Sequence, residues 1–209
     1  MTTTMTSYDP AVDAPKHHHP VYDYDSGPPV DRGKFAIWVF LGTEIMFFTG
    51  MIGTYIVLRA GSPEWPNPAH RLAVGITAFN TFVLICSSAT VVAGLFAVQK
   101  DDMAALRKWW GLSILLGAGF VGIQAYEYVH LIAHGMTPNQ DLFWSTFYLM
   151  TALHGLHVII GVLWLAVAYV KILRGGYSSK NWVGLELAGL YWHFVDLVWV
   201  LLFTLIYLM

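Results

Sequence analysis

From residue 35 onward the chain alternates long apolar runs with short polar turns. The runs cover residues 35–58, 72–98, 109–132, 142–173 and 183–209. Each exceeds the roughly 20 residues that carry an α-helix across a hydrocarbon core. None shows the period-two alternation of a barrel strand. Lipid offers backbone amides no partner, so spanning segments are helices or closed barrels. The pattern therefore predicts an all-α, polytopic membrane protein built as a bundle of five transmembrane helices. The fourth run is longer than a flat crossing needs, which predicts tilt or projection beyond the bilayer. Breakers separate the runs: Gly61-Ser62-Pro63, Pro66-Asn67-Pro68, Met136-Thr137-Pro138-Asn139 and Gly175-Gly176.

Composition agrees with this and removes other classes. Only 11% of residues are Asp, Glu, Lys or Arg, against about 25% in soluble domains. So little charge cannot cover a water-facing surface. A net charge of -2 gives no electrostatic case for nucleic acid. The single Cys86 excludes an internal disulfide and a Cys-rich metal centre. Residues 1–33 contrast with residues 34–209: they hold five Asp, five Pro and no long apolar run, and are expected to form a disordered cytoplasmic tail. They lack the basic and apolar regions of a signal peptide, so no cleaved leader is expected.

Basic residues give an orientation. Nine Lys and Arg fall in the N-terminal segment, the second loop and the fourth loop, where they include Lys34, Arg107, Lys108 and Lys171. The opposite side has only Arg59 and Arg71. By the positive-inside rule the N-terminus is cytoplasmic and the C-terminus outside. Small residues four apart, Thr49 with Gly53, Thr90 with Gly94 and Ala118 with Gly122, suggest close helix contacts.

The exceptions to apolarity carry the chemistry. A charge at a helix centre costs roughly 2.5–3.5 kcal/mol on insertion scales. Glu44, Gln124, Glu127, His154, His157, His193 and Asp196 nevertheless lie within the runs, with no Lys or Arg well away from the span ends. Their acids must be protonated, or paired with His, hydroxyls or amides. At 1.5 Å per residue, Glu44, His154, His157, His193 and Asp196 all fall roughly 15–22 Å into the membrane. Glu127, with His130 and His134 on the same face, lies nearer the outer boundary. Two readings remain open for the midplane group: hydrogen-bonded glue between helices, or a proton-handling or metal site. Glu127-Tyr128-Val129-His130 has the Glu-x-x-His spacing of di-iron bundles, but no second such element exists at matching depth. A haem needs only one His, so a stand-alone haem or metal protein stays as a distant alternative. His17-His18-His19 could hold a surface metal.

Six Trp, namely Trp38, Trp65, Trp109, Trp110, Trp144 and Trp182, lie near span ends and suit an interfacial belt. Trp192, Asp196 and Trp199 instead share one face of the fifth helix, which is expected to meet protein, with the Trp192 indole donating to a polar neighbour.

Four segments together resemble subunit III of the haem–copper oxidases, the cytochrome c oxidase type. They are Gly42-Thr43-Glu44-Ile45-Met46-Phe47-Phe48-Thr49-Gly50, Gln124-Ala125-Tyr126-Glu127-Tyr128, His154-Gly155-Leu156-His157-Val158-Ile159-Ile160-Gly161 and Tyr191-Trp192-His193-Phe194-Val195-Asp196-Leu197-Val198-Trp199. The resemblance covers about residues 34–209. It implies an accessory subunit without haem or copper of its own, beside the catalytic subunit I and subunit II, in a bacterial cytoplasmic membrane. The complex would reduce oxygen and pump protons. The implied roles are stabilising subunit I, binding structural phospholipid, and aiding oxygen or proton entry. No catalytic or metal residue is implied. Glu44, Gln124, Glu127, His154 and His157 are the buried polar positions; Trp192, His193, Asp196 and Trp199 are the packing and subunit-contact positions. Asp196 is expected to be the more structural acid, and Glu44 the one related to lipid or protons. Many members have seven spans, whereas this chain has five and lacks the leading pair that lines a lipid cleft. The homologous subunit of a quinol oxidase, or of a nitric-oxide-reductase-associated relative, is the nearest alternative.

Overall fold

A computed structural model describes residues 32–66 and 71–209. The tail expected over residues 1–33, with its three histidines, lies outside them except for Arg32 and Gly33, which open the first helix. Five helices long and apolar enough to cross a membrane follow: α1 (Arg32–Gly61), α2 (Val74–Gln99), α3 (Met103–Ala133), α4 (Leu142–Leu173) and α5 (Val183–Phe203), the last continued by a π-helical turn, Thr204–Leu208. Among the described residues there is no strand, only one isolated bridge between Ser178 and Asn181.

Helix α3 begins six residues before the apolar run at 109, so Arg107 and Lys108 stand in its opening turns and not in a loop. The cause is a cap. Asp102 Oδ1 accepts the Ala105 amide at 2.9 Å, satisfying a donor that the first turn leaves free. Asp141 caps α4 in the same way, accepting from the Trp144 amide at 2.9 Å. Its other oxygen takes Arg71 Nη1 at 2.8 Å. Only three residues join α2 to α3, with Asp101 at φ 60° making the turn.

Helices α2, α3, α4 and α5 close a ring in which each packs against the next and α5 returns to α2. Helix α1 stands outside that ring, against α5 and touching α4. Lys34 Nζ meets Glu186 Oε2 at 2.8 Å, so α1 and α5 start at the same end and run parallel. The Asp101 carboxylate accepts the Ser179 amide at 3.0 Å at that end as well, joining the two loops assigned to one side. At the other end Arg59 donates to the Met209 carbonyl, and Tyr55 donates to the Leu205 carbonyl at 3.3 Å. Between α4 and α5, burial raises the Tyr177 phenol above its ordinary pKa, and Lys171 Nζ lies 4.5 Å from its ring centroid.

Not every small-residue pair packs as expected. Thr90 and Gly94 are buried against α3, where Thr90 bonds Ser113 at 2.7 Å and Trp110 covers Gly94. Thr49, Gly53, Ala118 and Gly122 face outward. The Trp belt also divides. Trp110 and Trp144 are fully buried, and Trp110 Nε1 donates to the Leu165 carbonyl at 3.1 Å. Their position near a run's end suggested an interface, but α3 starts earlier than its apolar run, which sets Trp110 two turns inside the helix.

Candidate functional site

The face of α5 that carries Trp192 and Trp199 meets α2, as expected for a face turned to protein. A row of small polar residues on α2 receives it. Trp192 Nε1 donates to Ser87 Oγ at 3.0 Å, and Trp199 Nε1 donates to Thr81 Oγ1 at 2.9 Å. Ser88 Oγ lies 2.6 Å from His193 Nδ1. The two helices run antiparallel, so later α5 residues meet earlier α2 residues. Thr77, Asn80, Thr81, Ser87 and Ser88 are related by offsets of three, four and seven residues and form one buried stripe. A hydroxyl can satisfy an indole N–H without bringing a charge into the bundle, which is why both tryptophans are buried at little cost.

The Trp192 ring also wedges α3 from α4. It lies where a Cβ on Gly117 would sit at 2.6 Å and a Cβ on Gly161 at 2.8 Å. A Cβ at either position would have to displace the indole, which occupies the space of the missing side chain. One residue of α5 thus contacts α2, α3 and α4.

Glu44 reaches His157 across α1 and α4, Oε2 to Nε2 at 3.1 Å. His157 Nδ1 is 2.7 Å from the Leu153 carbonyl. A carbonyl only accepts, so Nδ1 carries a hydrogen. One further proton then lies between Nε2 and the carboxyl, as carboxylic acid to imidazole or as imidazolium to carboxylate. In both forms the pair is neutral, which meets the membrane's demand without a Lys or Arg. Phe48 packs its edge against the imidazole at 5.0 Å.

Glu127 is the acid most completely held by the chain. Its Oε1 accepts from Thr77 Oγ1 at 3.1 Å and from the Tyr207 hydroxyl at 3.2 Å. The π-helical turn carries Tyr207, which is buried. Asp196, expected to be the structural acid, keeps Oδ1 without a hydrogen-bond partner among the described residues. His154 is fully buried, stacked on Trp199 at 4.9 Å, with both ring nitrogens lacking a partner, and both side-chain atoms of Gln124 are likewise unmatched.

The midplane residues therefore do not converge on one centre. They divide into a Glu44–His157 pair, an α2–α5 polar seam with His193 and Asp196, and an aromatic-walled His154. Among the described residues no three His, Cys, Asp or Glu side chains gather closely enough to hold a metal. Thr77, Ser87, Ser88 and Tyr207 were not singled out from the sequence. The periodic hydroxyls of α2 were a readable signal; the π-turn that aims Tyr207 inward was not.

The family model for cytochrome c oxidase subunit III matches residues 22–209. The chain belongs to the cytochrome c oxidase subunit III family. Cytochrome c oxidase subunit 3 of Corynebacterium diphtheriae is 40% identical over 172 residues, 81% of this chain and 84% of that protein. The same-named protein of Thermostichus vulcanus is 37% identical over 194 residues, 92% of this chain and 90% of the relative. Quinol oxidase subunit 3 of Bacillus subtilis is 33% identical over 174 residues, 83% and 85% of the two chains. The family match and these relatives support an accessory subunit III of a haem–copper oxidase.

Proposed function

We propose that this chain is the cofactor-free subunit III of a respiratory cytochrome c oxidase, lying beside subunits I and II in a bacterial cytoplasmic membrane. It carries no catalysis of its own, and it supports the catalytic subunit while oxygen is reduced to water and protons are pumped. The observation that carries this reading is where the motif side chains are used. Glu44, Glu127, His157, His193, Trp192 and Trp199 bond to other helices of the same chain. The uneven distribution of Lys and Arg supports a cytoplasmic N-terminus. A groove between α1 and α5, lined by Trp38, Phe48, Phe194 and Leu197 among others, supports a structural phospholipid, since its walls are almost wholly apolar.

The quinol oxidase reading keeps the Bacillus subtilis relative on its side. It differs only in the electron donor, whose site lies elsewhere in the complex. Affinity purification of the tagged chain from its native membrane tests the proposal. Haem pigment should co-purify in gentle detergent and be absent from the chain isolated alone. Stoichiometric haem in the isolated chain would overturn the accessory role.

A further inference from the structure

Two histidines lie apart from the polar seam. His130 and His134 stand one turn apart at the C-terminal end of α3, both exposed, with ring centroids 4.3 Å apart. His134 Nδ1 lies 2.8 Å from the His130 carbonyl. The carbonyl can only accept, so Nδ1 holds a hydrogen, and in the neutral ring Nε2 then has the lone pair. A backbone carbonyl fixing one ring nitrogen is the usual support of a metal-bound imidazole. Two imidazoles on one ion at 2.0–2.1 Å place their nitrogens about 3 Å apart. Side-chain rotation reaches that from rings already 4.3 Å apart.

The same two rings line a cavity of about 160 Å³ with Met136, Glu127 and Arg71. Glu127 is held by Thr77 and Tyr207 and stays outside the ligand set. The Arg71 charge is offset by Asp141 at 2.8 Å. The donors left are two imidazoles, a thioether and water. Imidazole suits copper, zinc and nickel, and copper binds such sites most tightly of the three. A thioether adds preference for Cu(I). We propose that His130 and His134 form an exchangeable copper-binding site at the water-facing end of α3, independent of the electron-transfer centres of the oxidase.

The test uses the full chain in detergent with His17, His18 and His19 replaced by Ala, because those imidazoles would also take metal. Cu2+ is added alone and followed by equilibrium dialysis and by electron paramagnetic resonance. One Cu2+ per chain should bind, with splitting from two nitrogens. His130→Ala and His134→Ala should each raise Kd by more than the roughly 10–100-fold that follows loss of an outer-shell partner, with helicity unchanged. No bound Cu2+, or an unchanged Kd in both variants, would overturn the proposal. If a variant loses helicity, Cu2+ protection of His130 and His134 against diethyl pyrocarbonate, read by peptide mass, decides. Protection of both supports the site, and unprotected rings refute it.

Discussion

Replacing Gly161 by Ala tests the packing around Trp192 with a single methyl group. The new Cβ would lie 2.8 and 2.9 Å from Trp192 Cε3 and Cζ3 and 3.2 Å from Tyr191 Cε1. Carbon atoms settle at about 3.5–4.0 Å, so the ring must retreat by roughly 0.6 Å or more. It has little room to do so. Its far side already fills the Gly117 position, and its Nε1 is held by Ser87 at 3.0 Å. Overpacking of this kind costs about 1–3 kcal/mol. Alanine recovers roughly 0.5–1 kcal/mol of helix propensity, leaving a net loss of about 0–2.5 kcal/mol, and about 1–3 kcal/mol relative to an alanine that meets no clash. Gly155, on the same helix with nothing within 4 Å of its Cβ position, is the control. Gly155→Ala should be neutral or slightly stabilising. The assay is equilibrium unfolding of the full chain from mild detergent into dodecyl sulfate, followed by circular dichroism. Combining Gly161→Ala with Trp192→Phe should cost less than the sum of the two single changes, because the smaller ring relieves the clash. Equal stability of Gly161→Ala and Gly155→Ala would refute the wedge.

Other perturbations address the polar contacts. Glu44→Gln should leave assembly intact, because the amide can donate to His157 Nε2, whereas Glu44→Ala should cost about 1–3 kcal/mol by stranding that nitrogen; retention of the chain in the purified oxidase checks both. Glu127→Gln should be mild, since its amide oxygen can accept from both Thr77 and Tyr207, while Tyr207→Phe should lose about 1 kcal/mol in the same unfolding assay. Asp141→Ala removes the α4 cap and the half-exposed Arg71 pair, and should cost about 1–2 kcal/mol, mostly through the cap and with little dependence on salt.

Much of this was legible in the sequence because a membrane leaves few choices. Apolar runs must be helices, and α4 ran from Leu142 to Leu173 as its run predicted. The helices extended beyond the runs where a cap such as Asp102 could satisfy free amides, and hydropathy does not register a cap. The α5 face with Trp192 and Trp199 was readable from its spacing. Its partner, the hydroxyl row on α2, was equally periodic, but Ser and Thr are common enough in membrane helices to pass unnoticed. Depth along each helix placed five ionisable residues at one level and suggested a common centre. Depth carries no information about direction around the bundle, and the structure separates those residues onto different seams. Tyr207 reached Glu127 only through a π-turn, which no residue pattern announced.

The central claim is that this chain sustains a catalytic subunit and does not itself react. It is tested most directly by counting oxygen-reduction turnovers before inactivation in the purified oxidase, with and without the chain. The account predicts a similar initial rate in both preparations and an earlier loss of activity without the chain. Equal lifetimes, or oxygen reduction by the isolated chain, would contradict it.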